Sequence, residues 1–417
     1  MKVGFCSLGC KVNLYESEYM MSLFKERGYT IGDFDEDCDI YVINTCTVTN
    51  NADSKSRKMI NHIKNNHPNS IIVVCGCFVE SNKFSDTESI DIVIGNYNKS
   101  KVVDLVSSYI KEKKQLIEQY DMKKVPFEDM MINHFEDKTR AFVKIQDGCC
   151  NFCSYCIIPY VRGPIRSKKF NKVLEEVKSL VSNDYKEIVL TGIHTGSYGK
   201  DLGTNFSTLL EELLKIENLK RLRISSIEIT ELDDKFLELL KNDKLCNHLH
   251  IPLQSGSDKI LKLMNRKYDK KQFLEMINKI RSIRPSISIT TDAIVGFPQE
   301  TEEDFEEYID FVKQVKFSKL HVFPYSKRNG TKAAEMDGQI DPKVKKERAK
   351  KLIELSKKLE KEYAYKFIGE ELDVLVENHD SSYAYGHTSN YLKIRLDKEC
   401  KHNEIVKVKI TKDNICL

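Results

Sequence analysis

The chain has 417 residues, and its 66 Lys and Arg against 63 Asp and Glu give a net charge of +3. A hydrophobic fraction of 41% with 31% charged residues is ordinary for a globular protein and excludes a disordered or collagen-like chain. No apolar run approaches the roughly 18 residues of a membrane helix, and the first residues contain too few apolar side chains for a signal peptide. We therefore expect a cytoplasmic protein of two or three domains that does not enter a membrane.

The first part of the chain alternates short apolar runs with amphipathic segments, which is typical of a parallel sheet covered by helices. We predict an α/β domain over residues 1–114, followed by a linker over 115–138, where charge clusters around Pro126. The predicted strands of this domain are residues 2–7, 39–44, 70–75 and 91–95, and the predicted helices between them are 14–28 and 52–64.

A second alternation follows in residues 139–366, with six predicted strands at 141–145, 187–191, 221–225, 248–251, 286–294 and 319–323. Six strand–helix units fit a partial (β/α)6 barrel, although an open doubly wound sheet gives the same order of elements. Pro342 begins a long predicted helix, and residues 343–366 contain ten Lys or Arg and four Glu. Residues 367–417 then alternate with the period of strands at 371–377, 391–396 and 404–411, and predict a small C-terminal β-barrel.

Cysteine is the residue type that points to chemistry, because thirteen cysteines without an export signal favour reduced thiolates over disulfides. Cys149, Cys153 and Cys156 follow a predicted strand with three and then two residues between them. A four-iron cluster takes four ligands, so three thiolates leave one iron open for a substrate. The alternative is a zinc site with His134 or Asp147 as the fourth ligand.

Three further cysteines form a dispersed set, because Cys10, Cys46 and Cys77 each lie just past the end of a predicted strand. The carboxyl ends of parallel strands meet at one edge of a sheet, and ligands bind there. We therefore predict a second three-thiolate cluster, with Gly9 and Gly76 allowing close approach of the backbone. The alternative is that these are unrelated buried thiols. No ligand role is predicted for Cys6, Cys38, Cys75, Cys150, Cys246, Cys400 and Cys416.

The segment 149–156 resembles the signature of radical S-adenosylmethionine enzymes, in which Tyr155 matches the aromatic residue before the last cysteine. Nearly the whole chain resembles the methylthiotransferase family, which implies an amino-terminal cluster domain, a radical SAM barrel and a TRAM-like RNA-binding β-barrel. Residues 8–13, 44–50 and 321–326 look most like the branch that acts on tRNA. The family implies conversion of N6-threonylcarbamoyladenosine, next to the anticodon, to its 2-methylthio derivative.

The resemblance also implies cofactors and partners. The family uses two [4Fe-4S] clusters and S-adenosylmethionine, with a 5′-deoxyadenosyl radical from the cluster on Cys149, Cys153 and Cys156. The other cluster would deliver sulfur. The resemblance also implies a flavodoxin- or ferredoxin-like reductant, and we expect the protein to be a monomer. In this family the cofactor pocket follows the barrel strands, which points to Tyr155, Thr191, Gly192, Ser225, Gln254, Asp292 and Gly296.

Basic residues predict where tRNA binds. Phosphate contacts supply much of the affinity for nucleic acid, so a surface of Arg162, Arg166, Lys168 and Lys169 could guide tRNA, although such runs are often only solvated. The tail has seven Lys or Arg against nine Asp or Glu, so its RNA role is expected to depend on one face or on tyrosines. Two rival functions stay open, the same reaction on a ribosomal protein and a noncatalytic zinc-bearing RNA-binding protein.

Overall fold

A computed structural model describes residues 1–81, 90–135 and 139–417. The chain forms two compact units. Unit 1 consists of Met1–Ile132, Lys144–Lys169 and Ser326–Ala334, and unit 2 of Asn133–Val143, Phe170–Tyr325 and Glu335–Leu417. Within the described ranges, no helix has the length and apolar character needed to span a bilayer.

The bounds of the elements follow in chain order. The strands are β1 (Lys2–Ser7), β2 (Thr30–Gly32), β3 (Ile40–Thr45), β4 (Ile71–Gly76), β5 (Ile92–Ile94), β6 (Leu116–Glu118), β7 (Arg140–Asp147), β8 (Arg166–Ser167), β9 (Glu187–Gly192), β10 (Arg221–Ile224), β11 (His248–His250), β12 (Ser288–Val295), β13 (Lys319–Pro324), β14 (Glu371–His379), β15 (Ala384–Thr388), β16 (Lys393–Leu396), β17 (Ile405–Lys409) and β18 (Ile415–Cys416). The helices are α1 (Lys11–Glu26), α2 (Asn50–Asn66), α3 (Cys77–Ser81), α4 (Val102–Glu112), α5 (Ile158–Arg162), α6 (Phe170–Ser182), α7 (Phe206–Leu214), α8 (Asp234–Leu239), α9 (Asp258–Leu263), α10 (Lys270–Ile283), α11 (Glu302–Val315), α12 (Lys332–Glu335) and α13 (Pro342–Tyr365).

Unit 1 is built on a parallel six-stranded sheet in the order β2-β1-β3-β4-β5-β6. Strands β3 and β4 are buried along their whole length, which fits their continuous apolar sequences and the helices on both faces of such sheets. Met20 and Phe24 of α1 pack on one face against Val42 and Val73. The predicted parallel α/β organisation is confirmed.

Residues 115–138 were predicted to be a linker, but part of this segment joins the sheet. Strand β6 pairs in parallel with β5, with Leu116 opposite Ile92. Met130 and Phe135 are each only 1% exposed, so the chain after β6 is also packed. Residues 136–138 of the predicted linker lie outside the described residues.

Unit 2 contains the second series of strands and helices and the tail. Strands β9 and β10 pair in parallel, as do β11, β12 and β13. Strand β7 begins in unit 2 and ends in unit 1, where Asp147 pairs antiparallel with Arg166 of β8. The alternation of strands and helices predicted for this part of the chain is therefore confirmed.

The tail forms an antiparallel five-stranded sheet in the order β17-β14-β15-β16-β18. Val374, Val376 and Ile394 fill its core together with Tyr363 and Phe367 from the end of α13 and the turn that follows. The sequence pattern predicted β14, β16 and β17 but not β15 or the short β18. The all-β character predicted for the tail is confirmed.

Two arginines of strand β10 hold the tail in place. Arg221 of β10 donates to the carbonyl oxygens of Asp373 and His387 at 2.7 and 3.0 Å. Arg223 donates to the carbonyl of Ser389 at 3.2 Å. Both guanidinium groups also face the buried carboxylate of Glu187, which compensates their charge.

Candidate functional site

The dispersed cysteines lie at one edge of the unit 1 sheet. Cys46 directly follows β3, Cys77 directly follows β4, and Cys10 follows β1 after two residues and caps the beginning of α1. These strands are neighbours and run parallel, so their carboxyl ends meet at the same edge. The structure therefore brings the three loops that carry these cysteines together, as the sequence predicted.

Two glycines allow the close approach of these loops. Gly9 has a φ of +107°, and a Cβ atom there would lie 2.9 Å from the Sγ of Cys46. Gly76 has a φ of +99°, and its Cβ atom would lie 2.6 Å from the carbonyl oxygen of Thr45. Any other residue would push the loops apart in addition to straining the backbone.

Asn13 ties two of these loops together by hydrogen bonds. Its Nδ2 donates to the carbonyl oxygens of Leu8 and Thr45, both at 2.8 Å. Its Oδ1 accepts from the Sγ of Cys10 at 3.6 Å. The side chain thereby sets the distance between the loop of Cys10 and the loop of Cys46.

The compact cysteine segment of residues 149–156 also belongs to unit 1, between β7 and α5. The amide of Cys149 donates to the carbonyl of Gly163 at 3.0 Å, and the amide of Cys156 donates to that of Cys153 at 2.9 Å. Gly148 has a φ of +75°, and a Cβ atom there would lie 1.9 Å from the carbonyl oxygen of Pro164. The residues after α5 thus close over the beginning of the segment.

A buried network of charges lies beside both cysteine sets. Glu16 accepts from Lys144, Lys99 and Arg162 at 2.7, 2.9 and 3.0 Å. Asp147 accepts from Lys144 at 2.7 Å and from Arg162 at 3.1 Å. Burial disfavours the Glu16 carboxylate, but the neighbouring cations hold its pKa well below the usual range. The Glu16 side chain is therefore ionised at neutral pH.

Arg162 of this network contacts a cysteine directly. Its Nε donates to the Sγ of Cys77 at 3.3 Å. Cys77 also packs against Val161 of the same short helix, α5, and against Ile157 just before that helix. The close contacts of the network join three cations to two carboxylates, so one positive charge is left to face this sulfur. A charged donor at this position can stabilise the negative charge of a metal–sulfur group.

The donor chemistry fits iron–sulfur clusters better than a single metal ion. Among the described residues, no three His, Cys, Asp or Glu side chains are placed to hold one ion. Burial is the main cause that raises the pKa of the Cys46 thiol to about 11, and the nearby sulfur of Cys77 adds to it. Thiolates without nitrogen or oxygen ligands suit iron–sulfur groups, and metal binding removes the thiol proton. The residues present therefore fit a polynuclear cluster.

Arg328 fixes the loop that follows Cys46, a role that no motif in the sequence indicated. Its Nη2 donates to the Oγ1 of Thr47 at 2.7 Å, and its Nη1 donates to Asn50 and Asp53 at 2.8 Å each. The Oγ of Ser326 accepts from the amide of Asn50 at 3.0 Å. Arg328 and Asn50 are 278 positions apart in the sequence, so only the folded chain brings them together.

The residues predicted to contact S-adenosylmethionine in unit 2 lie at or near the ends of its strands. Thr191 and Gly192 end β9, and Ser225 directly follows β10. The amide of Gln254 donates to the carbonyl of Asp292 at 2.9 Å, and Gly296 directly follows β12. The side chain of Thr191 is buried, at 1% exposure, whereas Ser225 and Asp292 are half-buried. Tyr155 is half-buried in the cysteine segment of unit 1.

The predicted basic RNA surface after the cysteines is wrong for three of its four residues. Arg162, Lys168 and Arg166 are 0%, 1% and 8% exposed, because they bind Glu16, Asp147 and backbone carbonyls inside unit 1. A buried cation cannot meet a phosphate without losing these partners. Of this group, only Lys169 is exposed.

Comparison with known proteins places this geometry in a family. Residues 143–312 match the model of the Radical SAM superfamily, and residues 2–95 match that of the Uncharacterized protein family UPF0004. The chain is 46% identical to threonylcarbamoyladenosine tRNA methylthiotransferase MtaB of Bacillus subtilis, over 98% of this chain and 94% of that one. The chain belongs to the radical SAM methylthiotransferase family.

Other members of the methylthiotransferase family are also similar. MtaB of Aquifex aeolicus is 39% identical over 98% of this chain and 100% of that one. The tRNA-2-methylthio-N(6)-dimethylallyladenosine synthase of Acetivibrio thermocellus is 38% identical over 89% of this chain and 79% of that one. The two cysteine sets thus lie in a chain that matches such enzymes over nearly its full length.

Solved structures support the barrel prediction. The radical S-adenosylmethionine methyltransferase TsrM of Kitasatospora setae superimposes with a TM-score of 0.57 at 12% identity, covering 80% of this chain and 76% of that one. At this identity the likeness concerns the fold alone. Together with the family match, it confirms the predicted radical SAM barrel over the doubly wound alternative.

Proposed function

We propose that this methylthiotransferase converts N6-threonylcarbamoyladenosine next to the anticodon of tRNA to its 2-methylthio derivative. The observation that carries the proposal is the 46% identity to MtaB of Bacillus subtilis over 98% of the chain, which exceeds the 38% to the dimethylallyladenosine synthase of Acetivibrio thermocellus.

Two [4Fe-4S] clusters and S-adenosylmethionine serve this reaction. One cluster is assigned to Cys149, Cys153 and Cys156 and the other to Cys10, Cys46 and Cys77. When bound, these groups supply the electron that cleaves S-adenosylmethionine and the sulfur that enters the base. The protein supplies three thiolates to each and leaves one coordination position open.

The remaining protein groups orient and insulate the two centres. Asn13 and Arg328 hold the loops around Cys10 and Cys46 in place through the hydrogen bonds described above. Ile157 and Val161 cover one side of Cys77 and keep water from it. Such fixed placement is valuable because orientation of reacting groups contributes on the order of 7–11 kcal/mol to a rate enhancement.

Contacts with S-adenosylmethionine are assigned to the strand ends of unit 2, and Tyr155 of the unit 1 cysteine segment is assigned separately, from the family resemblance. The assigned side chains and backbone groups are those of Tyr155, Thr191, Gly192, Ser225, Gln254, Asp292 and Gly296. Support comes from the contact of Gln254 with Asp292 and from the 3.4 Å approach of the Thr195 and Ser225 hydroxyls, which group polar atoms at neighbouring strands. No further catalytic residue is assigned.

The tail is proposed to be a TRAM-like RNA-binding module. Arg395 lies 4.6 Å from the ring of Tyr383, and Lys393 lies 5.2 Å from that of Tyr385, which places cations beside aromatic rings on neighbouring strands. Such pairs can bind phosphates and stack on bases. Tyr391 is used differently, because its ring packs between Arg140 and Arg223 at 5.1 and 4.5 Å.

The proposal also includes the electron donor, the oligomeric state, the location in the cell and the domain boundaries. We assign a monomeric cytoplasmic enzyme that receives electrons from a flavodoxin- or ferredoxin-like protein. The proposed domains are residues 1–114 for the amino-terminal cluster domain, 139–366 for the radical SAM barrel with its basic helix, and 367–417 for the tail, with 115–138 connecting the first two.

Mass spectrometry of tRNA nucleosides tests the proposed substrate. In a strain that lacks the gene, 2-methylthio-N6-threonylcarbamoyladenosine should disappear and its unmethylthiolated precursor should accumulate. The wild-type gene should restore the product, and the Cys153→Ala variant should not. An unchanged amount of product in the deletion strain would contradict the proposal, and loss of the dimethylallyladenosine derivative instead would identify the other tRNA substrate.

A further inference from the structure

Arg162 has an unusual set of partners for a fully buried side chain. Its exposure is 0%, and its N–H groups point at acceptors on four different residues. Nε donates to the Sγ of Cys77 at 3.3 Å, and Nη2 donates to the Oδ1 of Asn13 at 2.8 Å. Nη1 donates to the carboxylates of Glu16 and Asp147 at 3.0 and 3.1 Å. This arrangement uses the planar fork of arginine, which lysine cannot reproduce.

Three of these partners are a proposed cluster ligand or contact a residue at or beside one. Cys77 is itself a ligand, and Asn13 accepts from Cys10 and donates to the carbonyl of Thr45, the residue before Cys46. Asp147 accepts from the amide of Gly148, the residue before the first ligand of the other cluster. One guanidinium group therefore contacts residues at or beside ligands of both cysteine sets.

The contact with Cys77 has a definite electrostatic consequence. Hydrogen bonds to ligating sulfurs help to set the reduction potential of iron–sulfur clusters, because they stabilise the state with more negative charge. The Nδ2 of Asn96 also points at this sulfur at 3.5 Å, but it carries no charge. Arg162 is therefore the charged donor at Cys77, and burial prevents water from weakening its effect.

We propose that Arg162 is a positioning residue for the amino-terminal cluster, which raises the reduction potential of that cluster and holds Cys77 in place. This inference rests on the proposed assignment of Cys10, Cys46 and Cys77 to that cluster. It gives Arg162 a role different from RNA binding and from the general stabilisation that any buried ion pair could provide.

Arg166 lies beside this network and offers a matched control. It is 8% exposed and lies 4.0 Å from Asp147, and its Nη1 donates to the carbonyl oxygen of Met122 at 3.0 Å. Replacing Arg166 removes a buried positive charge near Asp147 while the contact of Arg162 with Cys77 stays in place. A nonspecific electrostatic effect would therefore follow from either arginine.

The experiment uses the full-length chain with Cys149, Cys153 and Cys156 changed to Ala, so that only the amino-terminal set can hold a cluster. Anaerobic reconstitution is followed by redox titration monitored by electron paramagnetic resonance. The substitutions Arg162→Gln, Arg162→Lys and Arg166→Gln are compared with this parent. We expect the midpoint potential to shift downward in R162Q, to shift less in R162K and to stay at the parent value in R166Q.

The outcomes distinguish a wrong cluster assignment from a wrong role for Arg162. A parent that holds no iron would overturn the assignment of the cluster and the role of Arg162 with it. A loaded R162Q variant at the parent potential, or an equal shift in R166Q, would overturn the role of Arg162 alone. Both Arg162 variants could instead lose iron because Cys77 is no longer held in place. In that case, retention of iron in R166Q supports the proposal, and equal loss of iron in R166Q contradicts it.

Discussion

The two units each bury a network of three cations and two carboxylates, but the spare donors of the two networks have different acceptors. In unit 1 a spare N–H of Arg162 points at the sulfur of Cys77. In unit 2 the spare N–H groups of Arg221 and Arg223 bind backbone carbonyls of the tail. The members are Lys99, Lys144, Arg162, Glu16 and Asp147 in unit 1, and Arg140, Arg221, Arg223, Glu187 and Glu377 in unit 2.

The different acceptors give the two networks different roles, one beside the proposed cluster ligands and one in holding the tail. A carbonyl is neutral, so the contacts of the unit 2 network with the tail are structural. Cys77 is a proposed cluster ligand, so the unit 1 network would act on the proposed cluster as well as on the fold. Substitutions around the cysteines should therefore change the reaction, whereas substitutions around Glu187 should change stability.

The largest expected effect concerns the cysteines themselves. Cys153→Ala should abolish cleavage of S-adenosylmethionine, whereas Cys46→Ala should leave cleavage measurable and stop formation of the methylthio product. Chromatography of 5′-deoxyadenosine and of tRNA nucleosides measures the two activities. Cys150 is exposed beside Cys149, and Cys150→Ala is the control that should keep both. Equal loss of cleavage in the Cys153 and Cys46 variants would contradict the division of roles.

A large effect on stability is expected for Glu16→Gln. The substitution keeps the shape of the side chain but leaves Lys144, Lys99 and Arg162 short of a carboxylate, and breaking such a buried set costs about 3–5 kcal/mol. Urea unfolding measures this cost. Glu26→Gln, at an exposed position of the same helix, should cost well under 1 kcal/mol. Similar costs at the two positions would mean that the network does not stabilise unit 1.

The unit 2 network should show its effect as a dependence of stability on pH. Burial opposes ionisation of Glu187, but Arg223 and the other arginines lower its pKa from 4.5 to about 2. Because this pKa is depressed in the folded chain, the ionised carboxylate stabilises the fold above pH 4.5, and this stabilisation is lost as the pH falls toward 2.

Urea unfolding of the cluster-free chain at pH 6 and pH 3.5 measures this loss, without a contribution from acid release of iron. The wild type should lose about 1.4 kcal/mol more than the Glu187→Gln variant between these two pH values. Equal losses in both chains would show that Glu187 does not titrate in this way.

The smallest effect is expected on the tail surface. Arg395→Gln should weaken tRNA binding by roughly two- to threefold at moderate salt, because one phosphate contact is lost. Arg395→Lys keeps the charge and should recover most of the affinity. Filter binding measures both, and stability should be unchanged because Arg395 lies outside the unit 2 network. No change in affinity with either variant would count against a role of this face in binding RNA.

The sequence predicted the elements that carry their own signal. Apolar runs indicated β1, β3 and β4, and the position of Cys46 and Cys77 directly after two of them predicted that the dispersed cysteines would meet at one edge. The spacing of Cys149, Cys153 and Cys156 indicated the other centre. In each case the information is local, and only the geometry of a parallel sheet had to be added.

Other features depend on contacts that no local pattern carries. Arg162 and Arg166 resemble any basic surface run in sequence, and only their pairing with Glu16 and Asp147 makes them buried. Strand β6 has three residues, too few to show a period, and it exists because it pairs with β5. The binding of Arg328 to Asp53 likewise depends on the fold alone.

The central claim is that six cysteines hold two clusters, three thiolates to each. Iron and acid-labile sulfide analysis of the anaerobically reconstituted chain tests it most directly, together with the two triple Cys→Ala variants that each remove one set. The account predicts about eight irons per wild-type chain and about four in each variant. Stoichiometric zinc in place of iron, or a triple variant that keeps the iron content of the wild type, would contradict it.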